Sequence, residues 1–207
     1  MSSKMWKSTF REIKQSFGRF MAIFAITALG VSLFSGLKVI EPAMVKTTDE
    51  YYKEKNFYNY RVLSELGFEE ADIEFLSKQE DVLFAEGIVS FDMLCSLQEE
   101  SAQVIKIYNV PEQINGIELL FGRMPETARE CVVDSSMYGE ESIGKTVVLS
   151  PDNQEEDLEN FKVTEYKIVG IAQASNYIQF ERGNTSLGNG KIAGFMYIPK
   201  EAFDVEF

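Results

Sequence analysis

The chain has 207 residues, with 20 Lys and Arg against 33 Asp and Glu for a net charge of −13, two cysteines and no histidine. The missing histidine excludes histidine-based catalysis and histidine metal ligation, and the acidic balance argues against nucleic acid as a partner. The length suffices for one globular domain of roughly 170 residues beside an unusual N-terminus.

That N-terminus is basic. Residues 1–19 hold Lys4, Lys7, Arg11, Lys14 and Arg19 against Glu12, a net of +4 that leaves −17 for the remainder. Trp6, Phe10, Ile13 and Phe17 recur at intervals of four, three and four, which places them on one helical face, with Lys7, Arg11 and Lys14 largely on the other. An aromatic face opposite a basic one predicts a helix lying in the cytoplasmic interface of a membrane. The bland alternative is an ordinary solvated helix end.

Residues 20–37 follow as eighteen positions without a formal charge, between Arg19 and Lys38. A helix of that length rises roughly 27 Å, close to the hydrocarbon thickness of a bilayer. The pattern predicts a transmembrane helix. A cleaved secretory signal is the rival, but its apolar region runs about 7–15 residues and closes on a small-x-small site. Here nineteen residues precede the run and no Ala-x-Ala ends it. A buried core helix fits less well, since Phe20, Phe24, Leu29 and Phe34 are spread around the whole circumference. Ala28, Ser32 and Gly36 repeat at i, i+4 and i+8, a small-residue stripe that lets another helix approach closely in lipid. The basic N-terminus predicts a cytoplasmic start and an extracytoplasmic domain over residues 38–207. Lys38, Lys46, Lys53 and Lys55 on the far side weaken that asymmetry.

Beyond the span, residues 41–55 read as a polar continuation that Pro42 breaks or kinks. Residues 56–63, rich in Phe and Tyr, read as a first strand. A helix is expected over residues 69–79, with Glu69 and Glu70 favourable at its N-terminal dipole. Residues 82–97 read as one long or bent strand with Gly87 at the bend, and residues 103–110 return as its hairpin partner after a polar turn at 98–102. Shorter strands are expected at 130–134, 146–149, 161–172 and 192–198. The fold class is α+β: an amphipathic helix, a transmembrane helix, a strand–helix–strand unit and further strands.

Residues 139–146 satisfy the phosphate-binding G-x-x-x-x-G-K-[ST] pattern. That chemistry needs a helix leading out, whose N-terminal amides hold phosphate, whereas Thr146-Val147-Val148-Leu149 reads as a strand stopped by Pro151. Nucleotide binding is therefore not expected here. The acidic run 152–159 lacks the spaced ligand pattern of a calcium loop and reads as a solvated hairpin loop. The glycine-dense stretch 183–190 reads as a mobile or sharply turned loop, functional or plain. Cys95 lies in an alternating run and Cys131 in a β-like one. Both read as buried free thiols, although spacing leaves a disulfide open. No nucleophile with a paired base stands out, and no catalytic, cofactor or metal residue is assigned.

The order of features resembles the N-terminal part of an FtsX-like ABC transporter permease with a MacB-like periplasmic core domain. The residues that carry this are the basic helix from Trp6-Lys7 to Arg19, the span at 20–37, and Leu66-Gly67-Phe68-Glu69-Glu70-Ala71-Asp72-Ile73. Gly122-Arg123-Met124-Pro125 leading to Glu130-Cys131-Val132-Val133 continues it. Ser142-Ile143-Gly144-Lys145-Thr146-Val147, Lys167-Ile168-Val169-Gly170-Ile171 and Tyr197-Ile198-Pro199 complete it. The resemblance implies a non-enzymatic membrane subunit without a cofactor. Its implied partners are a cytoplasmic ABC ATPase subunit, the lipid bilayer, and other transmembrane helices of the permease or a second permease copy. In such families the extracytoplasmic domain acts on lipoproteins, peptides, antibiotics or cell-wall enzymes. Members carry at least three further spans and a cytoplasmic connection that docks the ATPase, and neither is found in these residues. With Asp204-Val205-Glu206-Phe207 reading as the start of a strand, the expectation is a fragment or truncated product. The competing reading is a single-pass membrane-anchored extracellular binding or sensor module.

Overall fold

A computed structural model describes residues 6, 8–11, 15–64, 67–98 and 101–205. The chain divides into two compact units, Met1–Tyr51 and Tyr52–Phe207.

One helix, Phe17–Glu54, runs 38 residues, roughly 57 Å at 1.5 Å per residue. It is the one helix among the described residues long and apolar enough to cross a membrane, and its most apolar window has a mean hydropathy of 2.1. None of its residues is buried. The Thr27 hydroxyl donates to the Ile23 and Phe24 carbonyls at 3.0 and 2.9 Å, and Thr47 donates to Ala43 at 2.9 Å. Polar side chains thus satisfy themselves on the preceding turn, which suits a medium without water. The expected break at Pro42 does not occur: the helix continues through it. A proline in a long helix removes one backbone bond, that of the Lys38 carbonyl, and the adjoining turns carry the conformation across.

Among the described residues the second unit has seven strands: β1 (Ser90–Leu97), β2 (Gln103–Asn109), β3 (Ile117–Gly122), β4 (Glu130–Asp134), β5 (Thr146–Leu149), β6 (Glu165–Ala174) and β7 (Gly194–Ile198). Their order is β3-β6-β4-β7-β2-β1-β5, and β5 pairs back onto β6. Six strands therefore form a closed ring, with β3 attached outside it. Closure depends on β6. Along one edge its first residues pair antiparallel with β5, Val147 opposite Tyr166, and its later ones with β3, Gly122 opposite Gly170. Along the other edge it runs parallel to β4, Cys131 opposite Ile168.

Alternation sorts the side chains. Met93, Cys95 and Leu97 of β1, Ile105 and Ile107 of β2, Cys131 and Val133 of β4, and Met196 and Ile198 of β7 share one buried cluster with Val147, Leu149, Tyr166 and Ile168. Phe161 and Phe203 join it, Phe161 meeting the Phe91 ring edge-on at 5.4 Å and Phe203 stacking on it at 6.2 Å. The intervening residues of β2 and β7 face the other way, where Tyr108, Phe195, Tyr197 and Ala174 form a second cluster.

The α+β architecture is as the sequence indicates, but several elements differ. Residues 56–63 form no strand; β-rich composition needs a ladder partner, and among the described residues no strand pairs with them. The helix expected at 69–79 is Glu70–Ser77, with the Glu69 N–H donating to Asp72 Oδ2 at 3.0 Å. Of the long strand at 82–97 only β1 forms, because its partner β2 ends at Asn109, whose side chain caps the Val89 N–H at 2.7 Å. The acidic run holds one short helix, Glu155–Leu158. Strand β3 was not foreseen, since Ile-Glu-Leu-Leu-Phe-Gly does not alternate; the ladder shows why, with an irregularity between Leu119 and Phe121.

Two predictions test this account. A Cβ added at Gly170 would lie 2.5 Å from the Arg123 carbonyl oxygen and 2.8 Å from Leu119 Cδ1. Gly170→Ala is therefore expected to destabilise the domain by about 1–3 kcal/mol in chemical denaturation. Glu130, at the start of β4, is bonded by the Arg123 guanidinium at 2.5 and 3.0 Å and by the Glu126 and Thr127 amides. First the arginine bonds and then the backbone N–H of Glu126 hold its carboxyl down at about 2, from an ordinary 4.5. A folded value below the unfolded one means this contribution is complete above pH 4.5 and is lost as pH falls toward 2. Glu130→Gln is expected to flatten the pH dependence of the unfolding midpoint across that window.

Candidate functional site

The residues expected at the membrane interface are widely exposed: Trp6 at 70%, Phe10 and Phe17 similarly. Trp6, Phe10 and Phe17 are helical; Ile13 lies outside the described residues. Ala28, Ser32 and Gly36 lie on the long helix at one-turn intervals. A Cβ added at Gly36 would meet nothing within 4 Å, so the helix surface is open at that residue, while Ala28 is half-buried. Around them Ile23, Ile26, Leu29, Val31 and Leu33 are all largely exposed, a surface that water would not tolerate at this length.

The most constructed feature is the joint where this helix ends. Asn56 adopts φ 48°. The Phe57 N–H donates to the Tyr52 carbonyl at 2.9 Å and the Asn56 N–H to Lys53 at 3.3 Å, which together make a Schellman cap with Asn in the left-handed position. The accompanying apolar contact is present too, with the Tyr52 and Phe57 rings stacked at 4.2 Å. The cap is then sewn to the turn that leads into β3. The Asn115 and Gly116 N–H groups donate to the Asn56 and Lys55 carbonyls at 3.1 and 2.8 Å. Asn56 Nδ2 donates to the Gln113 carbonyl at 3.2 Å, and the Tyr58 N–H to Asn115 Oδ1 at 3.2 Å. Lys55 Nζ lies 3.8 Å from Glu118 on β3. Behind the turn, the Glu86 carboxylate accepts the N–H groups of Glu112, Gln113 and Ile114 at 2.6, 3.1 and 2.9 Å. No sequence motif announces this joint, although an Asn directly after a lysine-bearing last turn fits a helix stop.

A second constructed feature lies over the tyrosine cluster. Arg182 donates from Nε and Nη2 to Asp134 at 2.5 and 3.0 Å, and from Nη1 to the Gln179 carbonyl. Its guanidinium sits 5.3 Å from the Tyr177 ring and 5.9 Å from that of Phe195. The Tyr108 and Tyr177 hydroxyls are 2.6 Å apart; burial pushes both up, Tyr177 to about 12. This latch precedes the glycine-dense loop, which is sharply turned: Gly183, Gly188 and Gly190 have positive φ, and the Ile192 N–H donates to Gly183 at 3.0 Å. Between Tyr177 and Arg182 in sequence, Phe180 is 100% exposed.

Cys95 and Cys131 are buried and free. Burial pushes the Cys95 thiol up to about 12 and that of Cys131 well above its ordinary value, which makes both poor nucleophiles. The phosphate-loop lookalike contains a short 3-10 turn, Glu140–Ser142, and runs through Gly144 straight into β5. The strand stands where a phosphate site would need a helix N-terminus.

No protein-family model matches the chain, and no curated protein sequence does. Among solved structures, the chain is similar to the periplasmic region of MacB from Actinobacillus actinomycetemcomitans. The identity is 16% over 66% of this chain and 56% of that one, with a TM-score of 0.39. A domain assigned to a permease protein from Porphyromonas gingivalis gives 14% identity over 54% of this chain and 44% of that one, with a TM-score of 0.35. The chain thus spans only 56% and 44% of these two structures. Likeness this distant assigns no activity to the chain.

The joint makes its own prediction. Asn56→Gly is expected to leave stability nearly unchanged, whereas Asn56→Val forces a branched side chain into a left-handed position at a cost of about 1–2 kcal/mol. Glu86→Ala removes the acceptor of three backbone N–H groups and is expected to cost about 1–2 kcal/mol. Both losses would be read as lower unfolding midpoints in denaturant.

Proposed function

We propose that the chain is the N-terminal part of the membrane-spanning permease subunit of an ABC transporter. In this reading ATP hydrolysis in a separate cytoplasmic ATPase moves the extracytoplasmic domain, and the chain itself performs no chemistry. The observation that carries it is the continuity of Phe17–Glu54 from the apolar span to the hydrogen-bonded joint. From Lys38 to Glu54 the helix adds roughly 25 Å beyond the uncharged run. A tether that merely holds a domain at a surface works as a flexible linker. A helix that passes without a loop into a capped, sewn joint delivers displacement to β3 instead. The sequence resemblance supports the same assignment, with the N-terminus cytoplasmic and the sheet domain outside. In this reading the stripe at Ala28, Ser32 and Gly36 serves the packing of other transmembrane helices or a second permease copy, and Trp6, Phe10, Ile13 and Phe17 face the membrane interface.

A second reading, a single-pass anchored binding or sensor module, draws on Phe180. A fully exposed aromatic on a loop held by the Arg182–Asp134 latch has the make-up of a preorganised contact.

Purification from the native membrane in mild detergent separates the two. The permease reading expects an ATP-binding-cassette ATPase to accompany the chain. It also expects vanadate trapping of that ATPase to change the labelling rate of a cysteine placed at Leu63, and Gly36→Leu to weaken the association. A chain recovered without an ATPase, with labelling indifferent to ATP and vanadate, would select the anchored module.

A further inference from the structure

Residues 82–89 have the composition of a strand and no ladder. They lead into β1, yet its partner β2 ends at Asn109, and among the described residues 83–88 make no backbone hydrogen bond. The run is nonetheless held at its far end. Asn109 caps the Val89 N–H at 2.7 Å, and the Glu86 carboxylate accepts the amides of Glu112, Gln113 and Ile114. No residue from 82 to 89 has a positive φ, so no left-handed position bars an extended ladder. The helix Glu70–Ser77 rests on the run through Ile73, since a Cβ added at Gly87 would lie 2.5 Å from Ile73 Cδ1. A helix over one face of a strand is half of a packed layer. On this half the large apolar side chains stand in water, with Leu83 89% and Phe75 65% exposed and Phe84 exposed as well. Exposed apolar surface beside unbonded backbone is a template for an added strand.

We propose that residues 83–88 receive a strand from another protein, an extended segment in which Lys or Arg alternates with apolar residues. Charge selects this occupant. Residues 69–81 hold six Asp and Glu against Lys78, and Lys78 is already paired with Glu74 at 2.6 Å. Glu80 and Asp81 stand directly before the run, where cations of an incoming strand meet them. A second copy of the chain would bring the same carboxylates to the face, and an anionic lipid surface would bring phosphates. Like charge works against both. Strand addition takes affinity from main-chain hydrogen bonds and specificity from alternate side chains. Here the bonds go to the unpaired backbone of 83–88, and the apolar residues of the guest cover Leu83 and Phe84. The inference stands on this surface and not on the transporter reading.

The test uses the full chain in phosphatidylcholine nanodiscs and a fluorescent peptide of alternating Lys and Val, about seven residues long to match the run. Fluorescence anisotropy, corrected for empty nanodiscs, should show saturable binding that Leu83→Asp weakens about tenfold. That substitution separates docking from bare charge attraction, because it removes the apolar contact while making the face more acidic. Tighter binding to Leu83→Asp would therefore overturn the proposal. So would an absence of binding, equal binding of a peptide of alternating Glu and Val, or equal binding of a Lys–Val peptide N-methylated at alternate residues. Hydrogen exchange locates the guest: the Lys–Val peptide should slow the amides of residues 83–88 about tenfold. Slowing at β3 instead would give the peptide to the other sheet edge and end the idea. Should Leu83→Asp fail to fold, seen as maleimide labelling of the buried Cys95 and Cys131, exchange on the unaltered chain decides.

Discussion

Everything in the second unit depends on the double use of β6. Its ten residues meet β4 along one edge and then β5 and β3 in succession along the other. Without the β5 contact the sheet would be an open ribbon with exposed ends at β3 and β5. With it, six strands enclose a core in which every one of them contributes alternate side chains. Closure also makes the domain tolerant of weak local signals, because a four-residue strand such as β5 is held from both sides. The two irregularities in the ladder, at Leu119/Phe121 and at Cys131/Val132, flank the same part of β6. Bulges increase twist and bend strands, and this is where a flat sheet must turn to close.

The joint illustrates how a small strain is overcome by connectivity. A left-handed backbone costs a residue with a Cβ about 1–2 kcal/mol, less for Asn. Against this, the cap returns two helix carbonyls to hydrogen bonds, and the Asn115 and Gly116 amides and the Asn56 side chain add three more. At about 0.5–1.5 kcal/mol each, the bonds outweigh the strain. The same residue therefore stops the helix and ties it to β3. Glu86 makes the arrangement two-sided by holding the far side of the turn through three amides.

How much of this was legible follows from what each signal depends on. The uncharged run at 20–37 is a property of the segment alone, and it lies in one helix. The alternation of Val89, Phe91, Met93, Cys95 and Leu97 is equally local, and Met93, Cys95 and Leu97 are the core residues of β1. Residues 56–63 misled because β-branched and aromatic composition states only that a strand would be tolerated; whether a partner is adjacent is a tertiary fact. The same holds for residues 82–89, where β2 ends too early to pair with them. Pro42 marks a break or a kink by its local chemistry, and of the two the break does not occur, since the flanking turns carry the helix through. The joint was hidden because Glu86, Asn56 and Asn115 are far apart in sequence, and no short spacing brings them together.

The Arg182–Asp134 pair raises a different question, that of what a buried ion pair is for. Both side chains are nearly inaccessible, at 9% and 1%, and taking two charges out of water costs several kcal/mol that their attraction roughly returns. Stability alone would be served as well by two apolar side chains of similar volume. What apolar residues cannot do is fix direction. A bidentate guanidinium with a third bond to the Gln179 carbonyl and two aromatic rings against its face holds the 178–182 segment in one orientation. That segment carries Ile178 and Phe180 outward, and it leads into a loop whose turns rest on positive-φ glycines. An aromatic side chain held out in water by a latch anchored in the sheet gains nothing in the isolated domain. The latch therefore fixes the orientation of the segment that carries Phe180.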